Sequence, residues 1–163
     1  MKRNNVRNRI ICLPQDPLIF PGTFRFNIDP ADTVPEDEVL IDILKTVNLW
    51  AMVEKRGGLL SDLKMDTLSH GEQQLLALAR ALLRKRVASG RCILVLDEAT
   101  SNLDKATEVI IQKIIEEEFK ENTVITVAHR LETVAGADEI LLLEKGEVIK
   151  QGPPSEVLDF GPS

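Results

Sequence analysis

The chain has 163 residues, with 26 acidic and 20 basic side chains, a formal charge of −6, two cysteines, one tryptophan and no tyrosine. At 44% hydrophobic and 28% charged it has an ordinary globular composition with length enough for one core, unlike a disordered chain, a disulfide scaffold or a basic nucleic-acid binder. Its longest apolar runs are a handful of residues, against about 20 needed to cross a bilayer, and Ile10 to Leu13 is too short for a signal-peptide core.

The chain opens on a solvated basic stretch, Lys2, Arg3, Arg7 and Arg9, and then enters its first apolar run, Arg9 to Leu13. Three more such runs follow at Cys92 to Leu96, Thr123 to Ala128 and Glu139 to Leu143. Because they are continuous rather than alternating, they predict short strands covered on both faces, as in a parallel sheet. Cys12 and Cys92 lie inside two of these runs, which predicts reduced core thiols and a reducing, cytosolic-side compartment.

Between the strands lie helical patterns. Thr33 and Glu36 read as a capping box with Pro35 at the first position, ahead of Val39, Leu40, Ile43, Leu44 and Val47, and Gly57-Gly58 closes that segment. Ser69 and Glu72 form a second box, followed by a stripe of Leu75, Leu78, Ala79, Leu82 and Leu83. A third helix starts at Asp104 and carries Val109, Ile110, Ile114 and Ile115, with Glu116 to Glu118 on its solvated face. Lys145-Gly146 predicts a tight turn into a last strand at Glu147 to Lys150, and a short helix follows Pro154 and Ser155. The alternation predicts an α/β fold, with Gly22 to Lys64 a mostly helical insertion.

Four places carry candidate chemistry. The strand ending at Leu96 runs into Asp97-Glu98, which sets two carboxylates at the edge where α/β proteins bind ligands. Asp97 suits Mg²⁺, which takes hard oxygen ligands, and Glu98 suits orienting or deprotonating water; a polar loop that caps the next turn is the bland alternative. Ser69-His70-Gly71-Glu72 opens a helix, whose N–H groups and dipole attract phosphate, although an ordinary capping box reads the same way. His129 and Gln15 each follow a strand, and singly each fits a structural role as well as a functional one.

Taken in order, Gln15, Ser69-His70-Gly71-Glu72, Asp97-Glu98, Ser101-Asn102-Leu103-Asp104 and His129 resemble the nucleotide-binding domain of ATP-binding-cassette (ABC) proteins. They match its Q-loop, signature loop, Walker B carboxylates, D-loop and switch histidine. LARALLRK, LVLDEATSNLD, VAHRLETV and LLLEKGEVIKQGPPSEVL strengthen the likeness, which runs from about Arg9 to Leu158. LPQDPLIFPGTFRFNIDP, Leu13 to Pro30, resembles the second such domain of the multidrug-resistance-associated (C subfamily) exporters.

The resemblance implies a P-loop NTPase-like ABC ATPase fold, with a parallel-sheet core and a helical subdomain at about residues 20–90 that carries the signature. It implies ATP and Mg²⁺ as cofactors, with Asp97 and Gln15 at the metal and Glu98, His129 and Gln15 in catalysis. Ser69, His70, Gly71, Glu72 and the D-loop Asp104 would address ATP held by a second nucleotide-binding domain, arranged head to tail. Coupling would run to transmembrane domains on another stretch of chain, placing this one on the cytoplasmic face of a membrane, with no nucleic-acid partner.

Two departures qualify this. No G-x-x-x-x-G-K-[ST] phosphate loop occurs, nor any Gly-Lys pair; in the family that loop and the upstream β-subdomain precede the Q-loop. The chain therefore reads as N-terminally truncated, missing the phosphate-loop strand, which predicts exposed apolar surface, poor solubility and little ATP affinity alone. The signature is LSHGE where the family has LSGGQ, which fits the weaker of the two ATP sites of C-subfamily exporters, while Glu98 keeps the other competent. An ABC ATPase without a transport role and a non-catalytic remnant are the alternatives.

Overall fold

The computed structural model describes residues 9–64, 67–88, 90–99 and 103–158, apart from the side chains of 131–132. The chain divides into two compact units, Met1–Ile125 and Thr126–Ser163.

In the first unit, β1 (Ile10–Leu13) pairs in parallel with β4 (Ile93–Asp97), register Ile10 to Ile93 through Leu13 to Leu96; β5 (Thr123–Val127), whose residues fall on both sides of the division between the units, follows in the order β1-β4-β5. Ile11, Leu13, Leu94 and Leu96 supply the buried sheet residues. The α/β architecture predicted from the alternation is therefore present.

Between β1 and β4 the chain builds β2 (Gly22–Thr23), α1 (Phe24–Ile28), α2 (Asp37–Thr46), α3 (Trp50–Lys55), β3 (Asp62–Leu63) and α4 (His70–Val87). The two-residue strands β2 and β3 form a small antiparallel pair that the sequence patterns did not signal. Three side chains hold the connecting loops. Asn27, fully buried, donates to the carbonyls of Phe20 and Thr23 and accepts from the Phe20 N–H. Arg25 bonds Asp32, Asp37 and the Val34 carbonyl, and the buried Asp29 carboxylate receives the Thr33 hydroxyl and the Val34 N–H, both at 2.9 Å.

That last contact corrects the expected Thr33–Glu36 capping box. A buried carboxylate needs donors, Asp29 recruits Thr33, and α2 starts at Asp37 with Glu36 as a cap that makes no side-chain bond. The helical segment is also interrupted, because Asn48 turns left-handed (φ 58°) between α2 and α3 while Val47 and Leu49 stay buried.

α4 is the central element. Gln74 to Ala79 and Ala81 to Leu83 are all buried, enclosed by β1, α1, α2 and α5 (Lys105–Glu118). On α5 the buried residues are Glu108, Ile111, Ile114 and Ile115; Val109, expected on that face, is half exposed.

The expectation that every apolar strand is covered on both faces does not hold. Cys12 is exposed on β1, so of the two predicted core thiols only Cys92 is buried. All five residues of β5 are exposed. Burial pushes the Cys92 thiol pKa up, with the Lys85 charge and a backbone hydrogen bond opposing.

The second unit contains α6 (Leu131–Val134), then β6 (Ile140–Glu144) and β7 (Glu147–Gly152) as the expected antiparallel hairpin, and α7 (Pro154–Val157). Lys145 (φ 50°) and Gly146 (φ 84°) are both left-handed, the geometry of a two-residue turn that matches strand twist. Leu141, Leu142 and Leu143 are exposed, so β6 too departs from two-sided burial.

Candidate nucleotide site

Parallel pairing of β1 with β4 brings their carboxyl ends to one edge. Leu13 and Leu96 are register partners, so Gln15 follows one strand and Asp97-Glu98 ends the other at the same edge of the sheet. Gln15 and Asp97 are exposed, and Glu98 is half-buried. Glu98 has φ 48°, a left-handed conformation that costs a side-chain-bearing residue about 1–3 kcal/mol and is concentrated at functional sites. The buried Ala99 anchors the chain just beyond it.

No cluster of three or more His, Cys, Asp or Glu that could hold a metal ion occurs among the described residues. Mg²⁺ carried with phosphates and water asks the protein for only one or two carboxylates. Asp97, exposed at the carboxyl end of β4, is a carboxylate of that kind.

The signature residues sit at the start of α4. The Ser69 hydroxyl oxygen accepts the Glu72 N–H at 3.2 Å, and the Glu72 carboxylate accepts the Ser69 N–H at 2.7 Å and its hydroxyl at 2.9 Å. The capping box is thus complete, and the carboxylate occupies donors that an incoming anion would use. Gly71 serves a second purpose: a Cβ there would lie 3.2 Å from both Cγ2 and Oγ1 of Thr107 on α5. Asp104 caps α5, accepting the Thr107 hydroxyl at 2.7 Å and its N–H at 3.0 Å. These bonds hold the Asp104 carboxyl below its ordinary range. The signature turn and the capped start of α5 are therefore neighbours. Ser101 and Asn102 lie outside the described residues.

Two further residues, which the motif reading missed, join α4 to the chain after β1. Gln74 Nε2 donates to the carbonyls of Pro14 (3.1 Å) and Gln15 (2.5 Å). Arg80 bonds the carbonyls of Leu18 and Asn27 and the Asn27 side chain, and its guanidinium lies 5.3 Å from the Phe20 ring centre. Burial lowers the Arg80 pKa. A cavity of about 220 Å³ lies between β1, this loop and α4, with Cys12, Pro17, Leu18 and Arg80 in its wall. The apolar residues at helical spacing ahead of it, Ala77, Leu78, Ala81 and Leu82, were the available signal for Gln74. His129, exposed after β5, belongs to the second unit.

A family model described as ABC transporter matches residues 1–101. The chain belongs to the ABC transporter family. ABC domains of this kind bind ATP and form an ATPase family, with Mg²⁺ usual. An "ABC-type transporter" of Gibberella zeae is 42% identical over 153 residues, 94% of this chain. An "ABC multidrug transporter B" of Aspergillus fumigatus is 41% identical over 156 residues, 96% of this chain, and the "ATP-binding cassette sub-family C member 2" of Rattus norvegicus 42% over 158 residues, 95% of this chain. The ABC chain spans about 10% of the length of each of these relatives. The likeness to C-subfamily members agrees with that expected from Leu13 to Pro30. Among the described residues of this ABC segment, no helix is long and apolar enough to cross a membrane.

Proposed function

We propose that this segment is the catalytic-carboxylate and signature portion of the ATPase domain of an ABC exporter. The observation that carries this reading is the shared edge of β1 and β4, where Gln15 and Asp97-Glu98 lie at the ends of paired strands and Glu98 is left-handed. MgATP supplies the phosphoryl group. Asp97, with Gln15, orients the metal, Glu98 accepts a proton from the attacking water, and His129 contacts the terminal phosphate.

The signature helix by itself does not hold ATP, because a helix N-terminus contributes about 0.3–1 kcal/mol to an exposed anion, ~2 at best, against about 4 kcal/mol for millimolar binding. Ser69, His70, Gly71 and Glu72, with Asp104, address the nucleotide of a second domain placed head to tail. Residues of about 20–90 form the helical subdomain, which passes the resulting motion to transmembrane domains, so that the segment works at the cytoplasmic face of a membrane. Glu72, drawn back onto Ser69, makes that signature the weaker one.

The test uses a longer chain that includes a phosphate loop N-terminal to these residues. It should hydrolyse MgATP, and Glu98→Gln should lower turnover by at least about 100-fold, the range for losing a general base. Undiminished turnover in that variant refutes the assignment.

A further inference from the structure

We infer that Gln74 is a positioning residue that ties the Gln15 loop to the signature helix α4. Its side chain is fully buried, one turn along α4 from Ser69-His70-Gly71-Glu72. Two consecutive carbonyl oxygens, of Pro14 and Gln15, can be met only by a donor, so the orientation of the amide is fixed with Nε2 on the loop. Oε1 is then left buried without a hydrogen-bond partner. Burying an unpaired acceptor is unfavourable, and a methionine of similar length would fill the space without that cost. The one hydrogen-bonding return on burying this amide is its grip on the loop. No helix backbone group does the same work, because the donor must reach out from α4 to a segment about 60 residues earlier.

The consequence rests on the proposed function. Gln15 serves the nucleotide of this domain, whereas Ser69 and Gly71 serve that of the partner domain. Gln74 joins these two loops through one rigid element, so a shift of α4 on engaging the partner's nucleotide pulls on the backbone of Gln15. The tie acts on loop placement and never touches nucleotide.

Gln74→Met is the direct test, with Gln74→Leu as a second variant. Pro14 and Gln15 are exposed, so their freed carbonyls can turn to water and the fold should be retained. By hydrogen exchange with mass spectrometry on the 163-residue chain, residues 13–20 should exchange at least about fivefold faster, while Leu76–Leu83 in the centre of α4 is unchanged. A merely structural role would accelerate both regions. In the longer chain, kcat should fall about tenfold with KM for MgATP unchanged. Unaltered exchange at residues 13–20 in both variants, equal acceleration along α4, or a rise in KM in place of the fall in kcat each overturns the inference. The exchange measurement needs no nucleotide, so a longer chain that fails to hydrolyse ATP would defeat the proposed function and leave this test standing.

Discussion

α4 and β5 are built from similarly apolar sequence, LLALARALL in one and TVITV in the other, and they end in opposite environments. The helix has nine buried residues and is surrounded by β1, α1, α2 and α5. The strand lies at the edge of the β1-β4-β5 sheet with Val124, Ile125 and Val127 at 38%, 48% and 47% exposure. Apolar patterning states which surface must be covered and says nothing of what covers it. α4 finds its cover within the first unit; β5 is an apolar surface still to be covered. The candidate residues divide in a related way, since Ser69 to Glu72 open α4 and Gln15, Asp97 and Glu98 lie at the β1–β4 edge, whereas His129 follows the exposed strand β5.

The largest effect that could break this contrast is a cavity in α4. Leu78 is fully buried, and Leu78→Ala should destabilise the fold by about 2–5 kcal/mol, measured by urea denaturation. A loss below about 1 kcal/mol would mean that α4 is no better enclosed than β5.

What could be read in advance divides along the same line. The Ser69–Glu72 box, the buried stripe of α4 and the Lys145-Gly146 turn depend on residues within a few positions of one another, and all three are present. The Thr33–Glu36 box has the same local form and fails, because Asp29, buried four residues earlier, competes for Thr33. Coverage of Cys12, β5 and β6 depends on partners far away in the chain, which periodicity cannot report. At the candidate site, Gln15, Asp97 and Glu98 were legible as an ordered set of motifs at strand ends, although no single one was decisive. Gln74 was not, because it follows Glu72 and Gln73 in the polar start of α4, and the apolar spacing ahead of it does not show the carbonyls it holds. The left-handed turn at Glu98 was likewise invisible, as glutamate carries no preference for it.

A smaller effect separates packing from capping in α4. Ser69→Ala removes the hydroxyl that accepts the Glu72 N–H and frees the Glu72 carboxylate from one of its two donors. The cost should be about 1 kcal/mol, within the 0.5–2 kcal/mol typical of N-caps, and well below that of Leu78→Ala. The two variants compared by the same denaturation measurement sharpen the view that burial, rather than the end of the helix, secures α4. Equal costs would shift the weight to the cap, and with it to the signature turn.

The smallest stability effect belongs to β5. Ile125 and Val127 are two apart, so they share one face of the strand, and both are about half exposed. Threonine keeps the β-branched shape while adding a hydroxyl, so Ile125→Thr with Val127→Thr should change the unfolding free energy by no more than about 0.5 kcal/mol per site, the range of ordinary surface substitutions. Self-association should respond far more, because an edge strand that is apolar and uncharged is a template for pairing with another chain. Sedimentation velocity should show the unmodified chain forming larger species and the double variant shifting toward monomer. A loss of more than about 2 kcal/mol would place the two side chains in a packed environment like that of α4. Unchanged association would direct attention to Leu141, Leu142 and Leu143 of β6, the other exposed apolar run, as the surface through which copies meet.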